Sequence, residues 1–149
     1  MKLYSRRDST PDLLHKLVHA MDRSADVILQ KQFGITYKRA YFLLVLQRVG
    51  TVTQHQLAVV LGYSAASVST MLTALSKLGY VDIQPSPHHG RKKLVSLTPY
   101  GKELVTKGRN MLNAHFASLM LGEHMNIQEY YAQTERLYSA VVAKNKEQK

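Results

Sequence analysis

Residues 53–81 read TQHQLAVVLGYSAASVSTMLTALSKLGYV, and where this stretch breaks decides the fold. Thr53 with Gln56 three residues on is a T-x-x-Q capping box, in which hydroxyl and amide satisfy the orphan N–H groups of a helix start. The spacing predicts a short helix with Leu57, Val60 and Leu61 as its buried face. Gly62 stops it, and Ser64 supplies the N-cap oxygen of a second helix, SAASVSTMLTALSKLGY. That helix buries Val68, Met71, Leu72, Leu75 and Leu78 at three- and four-residue steps. Two helices about three residues apart, with a glycine between them, form a helix-turn-helix.

Downstream, VDIQ alternates apolar and polar, PSPHHGRKK intervenes at 85–93, and LVSLT alternates again. Short alternating runs joined by a Gly/Pro-containing loop predict a β-hairpin. The prolines restrict the loop and Gly90 permits its turn. A helix-turn-helix followed by a hairpin is a winged helix. Its fold class is therefore mainly α with a small β-hairpin wing.

Long helices flank this part. Thr10-Pro11-Asp12 carries a hydroxyl cap, a proline at the first helical position and a carboxylate at the positive helix end. Leu14, Leu17, Val18, Met21, Ala25, Ile28 and Leu29 follow at helical spacing to Phe33-Gly34. Thr36 caps a helix with Tyr41, Leu44, Val45 and Arg48 in register, closed by Gly50. Thr98-Pro99 repeats the start signal, and Leu104, Val105, Met111, Leu112, Phe116, Leu119 and Met120 run to Gly122. Asn126 with Glu129 opens a last helix through Tyr130, Leu137 and Val141 to the charged tail AKNKEQK. The expected organisation over 1–149 is one domain: a winged helix-turn-helix at 36–98, with its helix-turn-helix at about 53–78 and wing at about 81–98, between helices at 10–33 and 98–145. A winged helix is complete in about 70 to 80 residues. The apolar stripes of the end helices therefore need a second copy to cover them, which predicts a homodimer.

Charge identifies the partner class. Residues 1–36 hold six Lys/Arg against four Asp, and 102–149 hold seven against five Glu. The segment between them holds seven, namely Lys38, Arg39, Arg48, Lys77, Arg91, Lys92 and Lys93, against Asp82 alone. General solubility would not clear acids from one segment only, so an extended polyanion is the expected partner. The 149 residues contain no cysteine, which removes disulfides, thiolate metal sites and thiol-based redox sensing. No apolar run approaches the roughly 18 residues that span a bilayer, and MKLYSRRDSTPD has no apolar signal region. A soluble, cytoplasmic protein without membrane partners is expected. No nucleophile elbow, phosphate loop or metal-protease motif is present and carboxylates are scarce, so neither an enzyme nor a cofactor is expected.

QLAVVLGYSAASVSTMLTALSKLGYV resembles the helix-turn-helix of the MarR family of transcriptional regulators. GRKKLVSLTPYG resembles that family's wing strand followed by the Leu-Thr-x-x-Gly start of its fifth helix. The two strings stand in order at family spacing, and the likeness extends over nearly the whole chain. It implies a homodimer held by the terminal helices, with recognition helices in successive major grooves of a pseudo-palindromic double-stranded DNA operator. It also implies wings on the minor groove or backbone and, commonly, repression relieved by a phenolic or aromatic acid bound between the dimerisation and DNA-binding parts.

Ser64, Ala65, Ala66, Ser67, Ser69 and Thr70 form the exposed N-terminal part of the recognition helix. Many family members carry Arg or Lys at the positions of Ala65 and Thr70, whereas this helix has no cation before Lys77. Arginine bidentate to guanine is thus missing, and small hydroxyls and methyls suit an A·T-rich or shape-read operator. Arg91, Lys92 and Lys93 in the wing, Lys38 and Arg39, Gln54 and His55, and Lys77 are the expected phosphate contacts. Arg91 matches the family's wing arginine, and His89 stands where relatives keep the aspartate that orients it, adding a pH-dependent donor to the tip. Tyr37, Tyr41, His19 and Arg39 are the expected effector contacts, aromatic walls with one cation suiting a carboxylated phenol.

Other readings use the same residues. His15 and His19 are four apart on one helix face and His115 lies on a later helix, so a zinc-responsive regulator of the same fold is an alternative, although no complete metal-ligand motif is present. A non-specific architectural nucleic-acid binder shares the basic middle but has no need of a well-built recognition helix.

Overall fold

A computed structural model describes residues 9–147. The element order is α1 (Thr10–Phe33), α2 (Tyr37–Val49), β1 (Val52–Thr53), α3 (Gln54–Leu61), α4 (Ala65–Lys77), β2 (Val81–Pro85), β3 (Lys93–Leu97), α5 (Pro99–Gly122) and α6 (Ile127–Glu147). The chain divides after Arg109 into two compact units.

The first unit holds the winged helix. Thr53 and Gln56 make both bonds of the capping box at the start of α3, and Ser64 Oγ accepts from Ser67 N–H at 3.1 Å at the start of α4. Between them Gly62 is left-handed (φ 66°), which a residue with a Cβ rarely adopts. The axes of α3 and α4 are bent by 111°, within the range of a helix-turn-helix. β2 and β3 pair antiparallel with Val81 opposite Leu97 and Ile83 opposite Val95. They form the predicted hairpin, and β1 completes a sheet of order β1-β3-β2.

Phe42, Leu43 and Leu46 of α2, Leu57 of α3, Val68, Leu72 and Leu75 of α4, and Val95 of β3 are fully buried in one core. A Leu or Phe side chain buried this way contributes about 1.5–3 kcal/mol by removal from water. Several predicted faces are shifted. α3 buries Leu57 and Ala58 while Val60 is exposed and Leu61 only half-buried, because all five residues from Leu57 to Leu61 are apolar and the period carries no contrast. Leu78 follows the last turn of α4 and is exposed, and Tyr41 lies on the outer side of α2. The cap of α1 is Ser9 instead of Thr10. Its hydroxyl and N–H pair with Asp12 in a capping box, and these bonds hold the Asp12 carboxyl below its usual range. Pro11 accordingly falls one residue later than expected. Gly90 does not have positive φ. The wing tip is instead closed by Lys92 N–H donating to the His89 carbonyl at 2.8 Å and Ser86 N–H donating to the Lys92 carbonyl at 2.7 Å.

The wing and α5 are tied to the end of α4. Thr98 Oγ1 donates to the Gly79 carbonyl at 2.6 Å and accepts from Gly101 N–H at 3.0 Å. Thr98 N–H donates to the Tyr80 carbonyl at 3.1 Å. A Cβ on Gly101 would lie 2.1 Å from that same carbonyl oxygen, so only glycine lets α5 start this close to Tyr80. The Leu-Thr-x-x-Gly string is thus a joint, with Thr98 bonding in both directions and Gly101 leaving room.

In the second unit, α5 ends in a turn where Met125 N–H donates to the Met120 carbonyl at 2.9 Å and His124 is left-handed (φ 55°). Asn126 Oδ1 accepts from Glu129 N–H at 3.0 Å and starts α6 as predicted. Phe116 and Tyr130 stand with ring centroids 6.0 Å apart. No residue of α6 is buried, and Leu137, Tyr138 and Val141 are at least half exposed.

Candidate nucleic-acid interface

α4 buries Val68, Leu72 and Leu75 and turns its other side outward. At 100° per residue, Ala66, Thr70, Thr73 and Lys77 form one stripe opposite the buried face, and all four are exposed. Ala65 and Ser69 border the stripe on one side and Ser67 on the other. Of the six predicted recognition-helix residues, Ser64 and Ser67 are engaged in holding the helix start, with Ser64 Oγ also donating to Ser67 Oγ at 2.9 Å. Thr73, outside the six predicted residues, also belongs to the outward stripe, and its hydroxyl donates to the Ser69 carbonyl at 3.0 Å.

Lys38 and Arg39, in the first turn of α2, face this helix. Together with Ala66, Ser67, Thr70, Met71 and Ala74 they line an open groove of about 420 Å³. The structure therefore brings two predicted groups together: the small residues of α4 and the cations of α2. Thr36 positions the cations, its Oγ1 accepting from Arg39 N–H at 3.3 Å at the helix start. Lys38 Nζ lies 5.3 Å from the ring centroid of Tyr63, in the turn between α3 and α4. Tyr63 carried no periodic or motif signal, because its partner is remote in sequence.

Three further cations are in the wing. Arg91, Lys92, Lys93, His88 and His89 are all exposed at its tip. Gln54 is half-buried and His55 exposed in the first turn of α3, and Lys77 closes the last turn of α4. Asp82 is engaged by the Gln84 amide, which donates to its carboxylate at 3.0 and 3.1 Å.

Of the predicted effector residues, Arg39 is set apart from the two tyrosines. Tyr37 and Tyr41 stand 6.2 Å apart, centroid to centroid, while Arg39, two residues on and about 200° round the helix, lines the groove beside α4. The charged neighbours of the tyrosine pair are acidic. Asp26 Oδ1 accepts from Tyr37 N–H at 2.5 Å. Burial, then the charge of Asp22, pushes the Tyr37 hydroxyl above its usual range. His15 and His19 are exposed on α1, and among the described residues no group of three or more His, Cys, Asp or Glu could hold a metal ion. No single helix among the described residues is long and apolar enough to cross a membrane.

Residues 33–92 match the model of the MarR family. No curated protein matches the sequence. Among solved structures, the reduced form of MarR from E. coli is 23% identical with a TM-score of 0.76, covering 92% of this chain and 98% of that one. MepR of S. aureus, solved as a DNA complex, is 23% identical with a TM-score of 0.74, covering 92% and 99%. FabT of Streptococcus pneumoniae, also solved in complex with DNA, is 19% identical with a TM-score of 0.75, covering 91% and 95%. The winged helix built around the groove between α2 and α4 is thus the part that matches the MarR family model, and the chain shares its fold with MarR, MepR and FabT.

Proposed function

We propose that the chain is a sequence-specific, duplex-DNA-binding transcriptional regulator that acts as a homodimer on a pseudo-palindromic operator. The observation that carries this reading is the outward stripe of α4, small and uncharged up to Lys77, with the cations of α2 beside it across the groove, in a unit whose wing exposes three more. A helix with small side chains approaches base edges closely, and exposed cations around it meet the phosphates bordering the groove. The DNA complexes of MepR and FabT, which share the fold, support the same reading. α4 offers no arginine for a guanine, so affinity rests on phosphate contacts and specificity on thymine methyls and groove shape.

Dimerisation is supported by α1 and α6. Leu13, Leu14, Leu17, Val18 and Met21 of α1, and Leu137, Tyr138 and Val141 of α6, are all exposed by more than a third. A second copy of the chain is the occupant that two-fold operators require. Repression relieved by an aromatic effector rests on the Tyr37–Tyr41 pair, with Asp22 and Asp26 beside it in place of the expected cation. The reading is tested by measuring duplex affinity against salt. Arg91→Ala should weaken binding to all sequences and lower the slope of log affinity on log salt by about 1, and an unchanged slope would remove the wing from the interface.

A further inference from the structure

We infer that Tyr63 is a positioning residue that fixes Lys38 as a preformed phosphate contact at the mouth of the groove between α2 and α4. The inference rests on the DNA-binding reading above and adds a residue to it. Lysine is a flexible chain with a strongly hydrated charge, and ordering it on a ligand loses rotamer freedom. Here the ammonium already lies 5.3 Å from the Tyr63 centroid, inside the roughly 6 Å over which an aromatic face attracts a cation.

The ring is held in turn by the backbone. Tyr63 N–H donates to the Ala58 carbonyl at 3.1 Å, after left-handed Gly62, in the bond pattern that closes a helix in a Schellman turn. The next residue, Ser64, is the N-cap of α4. Tyr63 is half-buried against the core, so its ring is fixed relative to α4. Lys38, through Tyr63, is thereby set in register with Ala66, Ser67 and Thr70 across the groove. A phosphate at this mouth would meet a cation whose place is set before DNA arrives.

The test uses the full chain and fluorescent duplexes, one taken from the DNA beside the chain's own gene and one of scrambled sequence, with wild type, Tyr63→Phe, Tyr63→Leu, Lys38→Ala and the Tyr63→Leu/Lys38→Ala double variant. Tyr63→Phe keeps the ring face and should bind both duplexes as wild type does. Tyr63→Leu should bind both about two- to fivefold more weakly, with a salt slope lowered towards that of Lys38→Ala. In the Lys38→Ala background the leucine should add no further loss. In the free wild-type protein, the Lys38 ε-methylene protons should show an upfield ring-current shift, a readout that needs no variant to fold. Normal binding by Tyr63→Leu, an equal loss in the Lys38→Ala background, or absence of the ring-current shift would overturn the inference. A loss in Tyr63→Phe would also overturn it, because the hydroxyl would then be the contact. Wild type that binds neither duplex would overturn the DNA-binding reading itself.

Discussion

Gly101 is the position where one atom has the largest consequence for the fold. Its substitution by alanine would place a Cβ 2.1 Å from the Tyr80 carbonyl oxygen, and neither atom can swing away, because the oxygen is backbone and the Cβ has no rotatable bond of its own. Gly101→Ala should therefore destabilise the protein by about 3 kcal/mol, the upper end of ordinary overpacking, as measured by the denaturant midpoint. The Tyr80 side chain beside it is buried and stacks on Tyr100 with centroids 4.9 Å apart. Burial first, then its hydrogen bond with Tyr100, pushes the Tyr80 hydroxyl from 10.0 up to about 12. In that interval the folded chain keeps a proton that the unfolded chain has released. The stability this provides is whole below pH 10 and is lost as pH rises towards 12. Alkaline unfolding followed by circular dichroism should show this loss in wild type, and Tyr80→Phe should be flatter over the same interval.

Element starts were legible in the sequence because a cap bonds only three residues away. Thr36, Thr53, Ser64 and Asn126 each accept the N–H that their spacing predicts. Burial in short elements was less legible. The eight residues of α3 offer apolar side chains on every side, so Ala58 and not Val60 faces the core for reasons set by α2 and the sheet. β1 is two residues long and exists only by pairing with β3 far along the chain, so no local pattern marks it. The exposed face of α4 was readable from its helical spacing. The groove was not, because Lys38, Tyr63 and Thr70 meet only through tertiary packing. One element end keeps a residue poorly suited to its backbone: His124 holds the left-handed position after α5, where a side chain crowds its own carbonyl. His124→Gly should stabilise the chain by about 0.5–1 kcal/mol, measured by thermal unfolding, and a loss of stability would mean that the imidazole makes a contact worth more than that strain.

Charge organises the chain at the scale of the whole molecule. The acids of the middle segment are reduced to Asp82, which is occupied by Gln84, while its cations gather on α2, at the end of α4 and on the wing. Under the proposed function such a surface would hold any nucleic acid, and the uncharged stripe Ala66, Thr70, Thr73 would separate a regulator from a general binder. The most direct measurement is competition: the full chain bound to a labelled duplex from beside its own gene, challenged with excess bulk DNA at physiological salt. Two chains are expected to stay on this duplex, at an affinity about a thousandfold or more above that for bulk DNA. Displacement by bulk DNA in proportion to its length, with no preferred site, would contradict it.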